Sequence, residues 1–204
     1  MIRYAYVNNQ ILNIYSKLSN LTFPLDVQQV INLVPNCKFM SYQQFAQINN
    51  CSISDVIQIC ESKSGCTHYD ISQNKYLILC NQSTDNNNNI ARQRWTCGHE
   101  FAHVVCKHLE LSAYNKLSEN NLNKDTNYEF ELEADYFAAT LLSPFPLFKL
   151  LNINSNIDIE KIFGLSKEAS IYRYNQYKKW IKSRVKTSWE NDIIKIYKIK
   201  NNLY

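Results

Sequence analysis

The sequence predicts an α+β fold that is mostly helical, with one small β-hairpin ahead of a buried helix. Three observations carry this. Glycine and proline are scarce, 3 and 4 in 204 residues, which disfavours a loop-rich or all-β design. Phe130, Ala134, Phe137, Ala138 and Leu141 recur at three- and four-residue spacing, the stripe of a core-facing helix. Over residues 67–81 the pattern changes to His68-Tyr69-Asp70-Ile71, a polar break at Ser72-Gln73-Asn74, and the apolar run Tyr76-Leu77-Ile78-Leu79-Cys80, which reads as two strands joined by a turn.

A chain of this length with 45% hydrophobic residues can bury a sizeable core. The pattern divides it into a lead (1–24), a core (25–150) and a C-terminal helical segment with a basic tail (151–204). The lead is polar and aromatic and gives no clear signal. Leu25 to Ile31 suits a short amphipathic helix that ends by Pro35. Ser41 is an N-cap for a helix over Tyr42–Gln47, and Ser52 or Ser54 for one over Asp55–Ile59. The second hairpin strand is almost continuously apolar, so both its faces are expected to be buried. Gln82 to Asn89 reads as a loop or turn, and Glu110 to Thr126 as irregular. Ile157 to Phe163, Gly164, and a helix capped by Ser166 and running to about Arg184 read as a helix-turn-helix pair that either packs on the core and closes the cleft, the favoured reading, or binds DNA or a repressor. Lys178, Lys179, Lys182, Arg184, Lys186, Lys195, Lys198 and Lys200 read as a solvated basic face, with contact to an acidic partner or nucleic acid as the alternative.

Net charge is mild at +4 and does not by itself indicate nucleic acid, so direct binding to it is not favoured. No stretch approaches the ~18 apolar residues of a membrane helix, and Met1-Ile2-Arg3-Tyr4 is followed by no long apolar run. The 7 cysteines are odd in number and show no CxxC spacing, which fits reduced thiols in the cytoplasm. Cys97 and Cys106 read as small core residues.

The chemistry lies in His99-Glu100-Phe101-Ala102-His103, an HExxH motif. On a helix, residues four apart share a face, so His99 and His103 can offer two imidazole nitrogens to one ion. Glu100 then falls beside the ion, where a general base takes a proton from water. Trp95, Phe101, Ala102, Val104 and Val105 make this a buried helix, and a buried His-Glu-His group needs partners. His108, about 140° further round a continuous helix from His103, points away from the ion and reads as a helix-end residue. His68 reads as an ordinary polar residue.

A catalytic Zn²⁺ site has three protein ligands and an open position. A third His would belong six residues beyond His103, where Leu109 stands. Glu131 beside the downstream apolar stripe supplies the third ligand instead. Asp135, one turn on, is placed to accept a hydrogen bond from a ligating histidine and fix its tautomer. Glu133 falls toward the opposite face.

Arg92-Gln93-Arg94-Trp95-Thr96-Cys97-Gly98-His99-Glu100-Phe101-Ala102-His103, followed by Glu131-Leu132-Glu133-Ala134-Asp135-Tyr136-Phe137-Ala138-Ala139-Thr140-Leu141-Leu142-Ser143-Pro144, resembles the paired RxRFTxxHExxH and ExEAxxFAxxLLxP segments of the ImmA/IrrE metallopeptidases. Tyr76–Asn81 resembles that family's strand before the motif, and Leu165–Arg173 its VSxxAxxxR helix start. The likeness spans about Val34 to Trp180, with Trp95 where Phe is usual and Gly98 where Ala is usual. It implies a zincin-like core and zinc on His99, His103 and Glu131, with Glu100 as general base. It also implies proteolysis of a helix-turn-helix transcriptional repressor, in the control of mobile elements or stress responses. The alternatives are a binding module that keeps the fold and regulates a repressor by contact, and a zinc-protease toxin with another protein target. Tyr128, Tyr136, Tyr172 and Tyr174 are all open as the group that stabilises the oxyanion.

Overall fold

The motif helix packs against both a small sheet and the downstream acidic helix. A computed structural model describes residues 1–82, 90–111, 116–117, 125–183 and 187–203. Helix α1 (Tyr4–Lys17) leads into α2 (Val27–Ile31), strand β1 (Cys37–Ser41), helices α3 (Tyr42–Asn49) and α4 (Ile53–Cys60), and the hairpin β2 (Gly65–Asp70) and β3 (Lys75–Cys80). The motif helix α5 (Ile90–Val105) follows, then α6 (His108–Leu111), β4 (Lys116–Leu117) and α7 (Asp125–Leu142). After a 3-10 turn come α8 (Asn156–Phe163), α9 (Lys167–Ser183) and α10 (Ser188–Lys200). This is the mostly helical α+β architecture expected from the sequence.

The sheet order is β1-β3-β2-β4, with β1 parallel to β3 and both neighbours of β2 antiparallel to it. Successive residues of β3 serve opposite faces. Tyr76, Ile78 and Cys80 join the main core with α1, α2, α5 and α7, while Leu79 joins a smaller one with Tyr42, Val56, Cys60 and Cys66 under α3 and α4. Burial on both faces explains why this strand lacks alternation. Strand β1 was not expected from the sequence. It is five residues long and half-buried, so its periodicity is weak.

The short helices form because their ends are capped. Ser41 pairs with Gln44, Ser52 with Asp55 and Ser155 with Asp158 in capping boxes. Ser166 accepts a hydrogen bond from the Ala169 backbone (3.2 Å) at the head of α9. Gly164, at φ 63°, ends α8 in the left-handed conformation. The helix pair α8–α9 packs on the core through Ile159, Phe163 and Leu165, as the sequence suggested.

The lead is where the reading needs correction. Residues 4–17 form a helix whose Val7, Ile11, Ile14 and Tyr15 are buried in the main core. The Tyr15 hydroxyl donates to the Leu141 carbonyl (2.6 Å), tying α1 to α7. The apolar spacing was present, but Asn8, Asn9 and Asn13 lower helix propensity and masked it. Helix α10 likewise buries Ile193, while Lys178, Lys179, Lys182, Lys195 and Lys198 are exposed. Cys97 and Cys106 are buried. The stretch 83–89 and most of 110–126, read as loops, lie outside the described residues. Among the described residues no helix is long and apolar enough to cross a membrane.

Helices α5 and α7 pack closely at Gly98. A methyl group there would lie 3.7 Å from the Ala138 Cβ, an ordinary contact. Gly98→Ala therefore removes backbone freedom from the unfolded chain without a clash, and is expected to stabilise the protein by about 0.4–1 kcal/mol. Thermal unfolding of the metal-free protein checks this as a rise of about 1–4 °C.

Candidate metal centre

The helical register of α5 puts His99 and His103 on one face, and α7 crosses it with Glu131. The Nε2 atoms of His99 and His103 are 3.3 Å apart. The Glu131 carboxylate is 2.9 Å from His99 Nε2 through Oε2 and 3.6 Å from His103 Nε2 through Oε1. A tetrahedral ion with bonds of ~2.0–2.1 Å separates its ligands by roughly 3.3 Å, so these three donors fit one zinc-sized ion. His103 is sealed at 2% side-chain exposure, whereas His99 is 15% exposed, so the opening lies on the His99 side.

Glu100 is buried, and its carboxylate accepts a hydrogen bond from Thr67 on β2 at 2.7 Å. The same hydroxyl reaches the Glu100 carbonyl at 2.9 Å. Strand β2 comes this close only because residue 65 is glycine. A Cβ there would stand 2.8 Å from Thr96 Cγ2 and 3.1 Å from both Glu100 Cγ and the Leu79 carbonyl. Asp135 meets His99 Nδ1 at 3.0 Å from an exposed position.

Three residues outside the expected ligand set stand behind His103. Helix α5 ends at Val105, Lys107 turns left-handed at φ 60°, and α6 begins at His108. The turn swings His108 back, so that its Nδ1 lies 2.9 Å from His103 Nδ1. The expectation that it points away assumed a continuous helix, and nothing in Lys107 signals the break. His108 Nε2 is 3.0 Å from Glu133, which faces away from Glu131 but inward rather than to solvent. Arg3 closes the set through its backbone N (2.9 Å) and Nε (3.1 Å), both on Glu133.

Electrostatics follow from this packing. Burial lowers the His99 pKa, but its hydrogen bonds to Asp135 and Glu131, with the charge on Glu100, outweigh that and raise it to about 10 in the metal-free protein. Burial, reinforced by the neighbouring histidines, pushes His103 well below the usual imidazole range. Burial raises the Glu133 pKa, but hydrogen bonds from His108 and Arg3 more than reverse this and bring it to about 2.

Asp135 also lines a half-open cavity of about 760 Å³. Trp95, Leu132, Ala139, Leu165 and Ala169 give it apolar walls, and Arg173 forms part of its base. The Arg173 guanidinium is spent on the Ser143 carbonyl (2.7 Å) at the end of α7. Of the four candidate tyrosines, Tyr136 gives its hydroxyl to Asn8 and Tyr174 to the Asn154 carbonyl. Tyr172 lines the cavity, and Tyr128 is exposed. His68 is exposed on β2, an ordinary surface residue.

Compared with known protein families, residues 61–175 match the model of the IrrE N-terminal-like domain, Peptidase_M78. That segment is more than half of the chain and holds His99, Glu100, His103, Glu131 and Asp135, but not Arg3. No curated protein matched the sequence.

Proposed function

Because this chain belongs to the M78 family of peptidases, we propose that it is a zinc-dependent endopeptidase, and that its substrate is a helix-turn-helix transcriptional repressor. The observation that carries the first part is the convergence of His99, His103 and Glu131 at the spacing of one ion, with a buried carboxylate alongside. The second part rests on the likeness of the paired motifs to ImmA/IrrE proteins.

When bound by these three side chains, zinc supplies a Lewis acid that polarises a carbonyl and brings the pKa of water toward ~7. Glu100 accepts the proton from the attacking water and passes it to the leaving amine. Thr67 holds the Glu100 carboxylate in place for both transfers. Asp135 accepts from His99 Nδ1, leaving Nε2 free to act as a donor to the ion. An extended substrate segment adds to the edge of the sheet and presents its carbonyl to the centre. The apolar cavity takes substrate side chains next to the cut. The odd number of cysteines, with no CxxC spacing, supports a cytoplasmic setting.

Co-incubation with any helix-turn-helix repressor that a neighbouring reading frame encodes tests the proposal. Gel analysis is expected to show two shorter fragments of the repressor, and an intact band when a chelator is present. A repressor that stays full length while its DNA binding changes would replace the enzyme with a binding module. Cleavage of an unrelated host protein instead would assign the chemistry to a toxin.

A further inference from the structure

We propose that Arg3, Glu133 and His108 form a positioning relay that fixes the tautomer and orientation of His103, so that a residue outside the matched domain helps set how tightly the centre holds its metal. This rests on the metal-centre reading above. The geometry allows the relay only one direction. A neutral His103 that offers Nε2 to an ion carries its proton on Nδ1. That atom faces His108 Nδ1 at 2.9 Å, so His103 donates and His108 accepts. The His108 proton then sits on Nε2 and is donated to Glu133 Oε1 at 3.0 Å. Glu133 accepts it as an anion, to which Arg3 donates from its backbone and its guanidinium.

Burial makes the arrangement binding. His103, His108 and Glu133 are each 2% exposed or less, so solvent supplies no alternative partners. The Phe130 ring stacks on His108 with centroids 4.6 Å apart, which holds the imidazole plane. Arg3 Nη2 also donates to the Cys106 carbonyl (2.8 Å), in the turn that redirects the chain to His108. One guanidinium thus braces both the carboxylate and the turn. Cys106, His108 and Glu133 have donor atoms close enough to suggest a second ion. An ion there would sit against the guanidinium and compete for a carboxylate already claimed, so the cluster is a relay to the first site.

Three variants test this: His108→Phe, Glu133→Gln and Arg3→Met. Zinc affinity is measured by competition with a chromophoric chelator, well below the melting temperature, on protein shown to be folded by circular dichroism. His108→Phe keeps the stacking and removes both nitrogens, and is expected to weaken zinc by about 10–100-fold. Glu133→Gln weakens it less, and Arg3→Met least of the three. Nitrogen-15 NMR of the zinc-loaded wild type is expected to show the Nδ1–H tautomer at His103 and Nε2–H at His108. A merely structural role would lower melting temperatures and leave zinc affinity unmoved. Affinities within about twofold of wild type, or a His103 proton elsewhere than Nδ1, would overturn the relay. If His108→Phe fails to fold, Arg3→Met and the wild-type tautomers decide. A wild type that takes up no zinc removes the metal centre and the relay together. A zinc-binding wild type with insensitive variants removes the relay alone.

Discussion

Glu100→Gln is expected to keep its zinc and to cut substrate about 10²–10⁴-fold more slowly. The amide has the shape of the carboxylate and fills the same buried space, so neither the α5 packing nor the Thr67 hydroxyl loses its contact. What is lost is an atom that can take a proton from water and return it to the leaving nitrogen. The ion's ligands are untouched, so metal content by mass spectrometry should match wild type. Turnover of the repressor, followed on a gel, supplies the other half of the test. Undiminished cleavage would end the assignment of the base. Lost cleavage accompanied by lost metal would instead mean that Glu100 is structural.

Glu131→Ala is expected to weaken zinc by more than the ~100-fold ceiling for losing a hydrogen-bond partner behind a ligand, because a ligand itself goes. It should also change how affinity depends on pH. In the metal-free protein His99 keeps its proton up to about 10, held by hydrogen bonds to Asp135 and Glu131 and the charge on Glu100 against the opposing effect of burial. A folded pKa raised above the unfolded ~6.5 stabilises the metal-free fold fully below that value. The stabilisation is lost as pH rises through about 10. Metal uptake runs the other way, since the ion must displace the proton. Apparent zinc affinity of the wild type should therefore climb by about tenfold per pH unit across that window. Without Glu131, His99 loses one of the groups that hold its proton, so the climb should be shallower. Chelator competition at several pH values checks both points, and a wild-type affinity indifferent to pH would contradict the proton's presence on His99.

The sequence revealed much of this centre because its geometry is local. His99, Glu100 and His103 are fixed by helical periodicity alone, and Glu131 and Asp135 by the same rule on a second helix. Each helix also carries an apolar stripe that says which face turns inward. The hairpin was legible from its turn residues and the caps from single serines. What escaped depended on distant or irregular features. His108 joins the centre only because the backbone breaks at Lys107, a residue with no preference for that conformation. Glu133 is inward because Arg3, 130 positions earlier, neutralises it, and no local pattern links the two. Thr67 reaches Glu100 through a β2–α5 contact that depends on Gly65, whose role shows only when the helix is laid against the strand.

The unequal shielding of the two imidazoles has a practical consequence for inhibitors. One side of the His99–His103–Glu131 cluster is closed by core, and Asp135, on its more exposed side, also lines an apolar hollow. A zinc-binding head group, such as a hydroxamate, would have to approach from that side. Its selectivity would then be set by a greasy tail fitted between α5, α7 and α9, and hardly at all by the chelating head.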